Sequence, residues 1–183
     1  MLEQALIDYC SPTLARIKPA SLFTQICTDP ACLARQVEAM DARLREKGLA
    51  LTALCRKGDR TLLYLYRPGE MARRLEDERT QAFLRERGYA RFDLEAALST
   101  LRARLAARED FPHEIGVFLG YPLTDVIAFI ENDGQNCLCS GCWKAYTDAC
   151  AAEWQFNRLR KCQEVYKRLF ALGRTLNQLT VAA

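Results

Sequence analysis

The sequence predicts an α/β protein: one domain with a mixed sheet flanked by helices. Three observations carry this expectation. β-rich runs alternate with amphipathic helical stripes, the pattern of a layered sheet. Two of those runs, 49–55 and 61–67, flank Lys57-Gly58-Asp59-Arg60 and read as a hairpin, so the sheet is expected to be mixed rather than purely parallel. The 183 residues show no linker rich in Gly, Ser and Pro and no internal repeat, which places residues 1–183 in a single domain.

Residues 22–28 alternate enough for a strand. Asp29-Pro30 then supplies an N-cap and a first-turn proline for a helix. Leu33, Val37, Met40 and Leu44 put one apolar stripe on that helix, and Gly48 stops it. Tyr64 and Tyr66 share one face of the second hairpin strand, which Pro68 ends. Gly69 to Gly88 reads as one or two short helices. Asp93 caps another helix, with its stripe at Leu94, Leu98, Leu101 and Leu105. The run Glu114 to Leu119 reads as a short buried strand, Gly120-Tyr121-Pro122 as a tight turn, and Leu123 to Asn132 as a helix. Trp143 to Tyr146 reads as a last strand. A long helix follows over 149–172 with Leu159, Cys162, Tyr166 and Leu169 inward.

Composition narrows the function classes. The 26 basic and 23 acidic residues leave a formal charge of +3, too little to expect nucleic-acid binding without a concentrated patch. The nearest candidates, Arg102, Arg104 and Arg108 or Arg158, Arg160 and Lys161, are interleaved with apolar residues and read as solvated faces. The N-terminus lacks the features of a signal peptide, and no window has the length and apolarity of a membrane span. A soluble cytoplasmic protein is expected. Nine cysteines, an odd number, then read as reduced thiols rather than a disulfide framework.

The run Phe111 to Pro122, with Asp125-Val126-Ile127, Phe129 to Asn132 and Ser140 to Tyr146, resembles an uncharacterised family of Clostridia and related anaerobes, the domain of unknown function 3793. Cys10-Ser11-Pro12-Thr13-Leu14 with Lys18, Tyr64 to Pro68 and Leu179 to Ala183 extend the resemblance over the chain. It implies a cytoplasmic accessory protein of anaerobic iron or redox metabolism, with a flavodoxin-like electron carrier as a partner. The chain departs from the family pattern at Ser11 and Arg16, where Ala and Gly are usual, so no glycine-dependent ligand loop is expected there.

Four constellations bear on chemistry. The turn at Gly120 joins a buried element to a helix start, where backbone N–H groups favour an anion, although it also reads as a plain tight connection. Tyr121, Trp143, Lys144 and Tyr146 suit the lining of a flat ligand such as haem, flavin or a nucleobase, or else core and rim packing. Cys137, Cys139 and Cys142, with Cys150 as fourth ligand, suit zinc or an iron–sulfur cluster, or else reduced thiols in a surface loop. His113, the only histidine, with Cys10 forms the alternative of a thiol-dependent enzyme. On a strand, His113 would stand roughly 20 Å from Gly120 at about 3.3 Å per residue, too far for one small site. Cys32, in the first turn of its helix, is a further candidate thiol, whereas Cys162 reads as core.

Overall fold

The structure, a computed structural model, describes residues 2–107 and 111–183. Arg108, one of the basic candidates, lies outside the described residues. The first half of the chain forms α1 (Leu2–Leu14), β1 (Ala20–Ile26), α2 (Pro30–Arg45), β2 (Ala50–Lys57), β3 (Arg60–Tyr66), α3 (Pro68–Glu76) and α4 (Glu78–Arg85). The second half forms α5 (Leu94–Ala106), α6 (Ile115–Phe118), α7 (Leu123–Glu131), β4 (Cys139–Ser140), β5 (Lys144–Ala145), α8 (Ala149–Ala171) and α9 (Leu176–Leu179).

The α/β class holds, but the sheet is not mixed. Its order is β1-β3-β2, and both pairings are antiparallel. A long connection brings β1 back against β3 in the opposite sense, a pairing that alternation of elements alone does not reveal. β3 is the central strand and is buried on both faces. Tyr64 and Tyr66 enter a core formed with α3 to α7, while Leu63 and Leu65 enter a second core formed with α1, α2, α8 and α9. Its nearly continuous apolar run is what two-sided burial requires. The β2–β3 turn is the expected one, with Gly58 at φ 63°, a left-handed value that glycine adopts without steric cost.

β2 lies at an edge of the sheet, and its exposed backbone is satisfied by side chains. The Leu51 N–H donates to Asp41 Oδ1 at 2.8 Å, and Arg102 donates to the Ala53 carbonyl and to Thr52 Oγ1. Arg102 therefore guards a strand edge instead of simply facing solvent. Arg104 likewise pairs with the buried Glu114, which also accepts from the Tyr89 hydroxyl.

The run 114–119 is not a strand. Residues 115–118 form the short helix α6, and all four residues are buried. Gly120, at φ 78°, closes it: the Gly120 N–H returns to Val117 and the Tyr121 N–H to Gly116, a Schellman arrangement. A Cβ at Gly116 would run into Val126 and Tyr121, so α7 packs on α6 more closely than a larger residue allows. A six-residue apolar run fits strand and buried helix alike, and these tertiary approaches decide between them. The last expected strand shrinks to the two-residue β5, paired with β4.

Arg67 joins the parts. It is 2% exposed and has no carboxylate partner among the described residues. Its Nε donates to the Thr13 carbonyl at 3.1 Å, and its Nη2 donates to Leu14 at 3.1 Å and to Val181 at 2.8 Å. Those carbonyls belong to the open end of α1 and to the C-terminal segment. Helix ends leave such groups without intrahelical partners, and they carry the negative pole of the helix. Burial pushes the guanidinium pKa down, partly opposed by Glu70. Replacing Arg67 by Met removes three hydrogen bonds but strands one acceptor, the Val181 carbonyl, because Thr13 keeps the Arg16 N–H and Leu14 keeps the Val181 N–H; an unsatisfied buried acceptor costs about 1–3 kcal/mol. Arg67→Met is expected to lower unfolding stability by about 1–3 kcal/mol in urea titration, whereas a loss under about 0.5 kcal/mol would refute the anchoring role.

Candidate functional site

The segment Ile17 to Pro19, the turn after α6, the start of α7, the β4–β5 hairpin and the start of α8 meet on one side of the molecule. Between them lie two adjoining cavities. The first, of about 280 Å³, is lined by Lys18, Gly120, Tyr121, Asp125, Trp143 and Asp148 among others. The second, of about 220 Å³, is lined by His113, Tyr121, Val126, Phe129, Trp143 and Lys144 among others. Tyr121, Asp125 and Trp143 belong to both.

The shared wall is aromatic. The rings of Tyr121 and Trp143 stack with centroids 5.3 Å apart, and Phe156 of α8 braces the indole edge-on at 4.5 Å. Gly141 makes that brace possible, since a Cβ there would fall on the Phe156 ring. Arg74 holds the turn from the other side through the Tyr121 carbonyl. Burial pushes the Tyr121 phenol up to about 12, with Cys142 adding to the shift, so the ring is neutral near pH 7. Lys18 Nζ lies 4.8 Å from the Tyr121 centroid, within cation–π range.

Asp125 fixes the wall. It is 4% exposed and accepts from Trp143 Nε1 at 2.8 Å, from the Tyr146 N–H at 2.9 Å, and from the N–H and hydroxyl of Thr147 at 3.2 and 3.0 Å. Four donors and no acceptor are what a carboxylate satisfies. Sequence reading quoted Asp125 without giving it a role. The available signal was a lone carboxylate in the first turn of the otherwise apolar Leu123 to Ile130.

The other candidates fall as follows. Gly120, Tyr121 and Trp143 border one cavity as expected, and Lys144 lines the second, where it donates to the Gly134 carbonyl and lies 5.9 Å from the Phe129 centroid. Tyr146 lines neither; its hydroxyl is buried and has no partner among the described residues. In the Gly120 turn the Gly120 and Tyr121 N–H groups are consumed within the α6 cap, whereas those of Leu123 and Thr124 in the first turn of α7 have no backbone acceptor among the described residues. The separation of His113 from the turn is corrected. The intervening run is helical, so His113 shares the second cavity with Tyr121 and packs 5.0 Å from Phe129.

The cysteine cluster is only partly drawn together: Cys137 and Cys150 lie near enough to Cys139 to act on its thiol. Among the described residues no three His, Cys, Asp or Glu side chains are grouped to hold a metal ion. Cys139 sits against α8, its Sγ 3.8 Å from the Ala149 carbonyl, with its pKa raised by burial and then by Glu153, Cys137, Asp125 and Cys150. Cys142 faces Lys18 and Tyr121 instead. The hairpin thus turns the two thiols of the CxxC motif to different neighbours. Cys10 is fully buried in the second core, and burial drives its thiol pKa well up, the reverse of what a nucleophile needs. It shares neither a cavity nor a hydrogen bond with His113 among the described residues. Cys32 keeps the expected cap, its N–H donating to Asp29, and Cys162 is buried with its thiol pushed up to about 11.

The fold and site define a small α/β protein with an aromatic-walled double cavity. A family model described as Protein of unknown function (DUF3793) matches residues 6–180, and the chain belongs to that family. None of the curated proteins and none of the solved structures compared with it matches. Among the described residues, no helix is long and apolar enough to cross a membrane.

Two outcomes test this description. Asp125→Asn sets an amide N–H against a donor and is expected to cost about 1–3 kcal/mol, with faster amide exchange at Tyr146 and Thr147; unchanged exchange would remove Asp125 as the organiser. Iodoacetamide on the native protein is expected to modify the exposed Cys142 and Cys150 first, and Cys10 and Cys162 only on unfolding. Early labelling of Cys10, read by peptide mass mapping, would reopen the thiol-enzyme alternative.

Proposed function

We propose that this is a small-molecule-binding accessory protein whose ligand lies against the Tyr121–Trp143 wall. The observation that supports it most is that a single aromatic pair serves two adjoining cavities and is held in place from several sides. A pair that served only as core packing would need neither cavity. At about 280 and 220 Å³, the cavities fall just under the roughly 300–1,000 Å³ of ordinary ligand pockets, which favours a compact planar ligand. The divided thiols give zinc or an iron–sulfur cluster less support than a flavin-like or other planar ring. A place in anaerobic iron or redox metabolism, beside a flavodoxin-like carrier, is part of the same proposal and rests on the family context.

The chain has two tryptophans, Trp143 in the wall and Trp154, which is exposed on α8. In a Trp154→Phe background all indole emission reports the site. Anaerobic titration with flavin, haem and small planar heterocycles is expected to give saturable quenching with at least one of them. Unchanged Trp143 emission across the set would overturn the proposal.

A further inference from the structure

We infer that the first cavity selects ligands carrying an oxyanion, a carboxylate, sulfonate or phosphate, and that Lys18 is the residue that selects them. The inference rests on the binding role proposed above and adds the charge class of the ligand. Lys18 lines the cavity beside Tyr121, and its ammonium makes no ion pair and no hydrogen bond among the described residues. A part-buried ammonium in that position lacks the partner such groups normally have.

The two carboxylates of the same cavity do not supply one. Asp125 is engaged by its four donors, and Asp148 caps α8 by accepting from the Ala151 N–H at 2.9 Å. Among the described residues the ammonium is thus unpaired beside aromatic faces, in a lining that also holds two carboxylates whose hydrogen bonds come from neutral donors and leave their charge in place; a planar oxyanion complements the ammonium and the rings where it keeps clear of Asp125 and Asp148. Burial lowers the Lys18 pKa, with Cys142 and then Cys10 opposing, as expected for an ammonium whose counter-charge must come from outside. The Gly120 and Tyr121 N–H groups of the turn are already bonded within the α6 cap.

The test uses two fluorescent probes of one ring framework, anilinonaphthalene sulfonate and the uncharged phenylnaphthylamine, in the Trp154→Phe protein. Energy transfer from Trp143 reports binding at the wall. Both probes are expected to bind. Lys18→Gln is expected to weaken the sulfonate about tenfold, a factor one charge-assisted hydrogen bond commonly supplies, and to leave the neutral probe within about twofold. Lys18→Arg is expected to retain the preference. If Lys18→Gln does not fold, salt dependence decides: added salt should weaken the sulfonate alone in the Lys18 protein. Equal loss for both probes, unchanged sulfonate affinity in Lys18→Gln, or equal salt response in the Lys18 protein overturns the charge assignment while leaving the binding role standing. Absence of energy transfer to either probe overturns the binding role itself.

Discussion

A buried guanidinium with carbonyls in place of a carboxylate is the constraint on which the rest of this structure depends. Arg67 stands where β3 ends and α3 begins, and its own N–H donates to the Pro19 carbonyl at the start of β1. Its side chain closes α1 and holds the C-terminal segment at Val181. A lysine offers one compact donor head and cannot span three carbonyls, whereas the planar fork of arginine can. The cost of burying the charge is offset by the helix end it faces, since the last carbonyls of α1 carry the negative pole. The stretch from α1 to β1, the β3–α3 junction and the C-terminal segment, three parts of the chain distant in sequence, are thereby tied at one residue.

That anchoring reaches the site through the end of α1. The chain leaves the helix at Arg16, which takes φ 58°, a left-handed value costly for a side-chain-bearing residue. The Pro12 carbonyl then accepts from both the Ile17 and Lys18 N–H groups. This sharp exit places Lys18 over Tyr121, and it brings Pro19 so close to Gly120 that a Cβ there would not fit. Arg16 accepts the strain here and gains a contact with Glu70 at 3.3 Å, an exposed pair worth little by itself.

The parts legible in the sequence are those whose cause is local. The α2 cap at Asp29, the Gly58 turn, the β3 strand with Tyr64 and Tyr66 on one face, and the α5 and α8 stripes follow from period, cap and turn chemistry within a few residues. The misread parts have distant causes. α6 looks like a strand until Val126 against Gly116 and Pro19 against Gly120 are known. α1 repeats Leu2, Leu6, Cys10 and Leu14 at helical spacing, yet Pro12 inside it interrupts the pattern and the segment was read only as a motif. Tyr121 and Trp143 stood out by residue type. Asp125 and Lys18 did not, because their roles are defined by what Trp143, Tyr146, Thr147 and Tyr121 bring to them from elsewhere in the chain.

The same distinction explains the cysteines. Three thiols within six positions suggest a shared centre only if the chain between them lets them converge. Here Gly141 packs against Phe156, which pins the hairpin to α8 and sends Cys139 inward while Cys142 turns toward Lys18. The hairpin's geometry therefore serves the indole that follows Cys142: it seats Trp143 between Phe156 and Tyr121, where Asp125 can reach its N–H. An element that spends its glycine and its turn on placing one aromatic ring is organised around that ring, and the thiols beside it take the directions that are left.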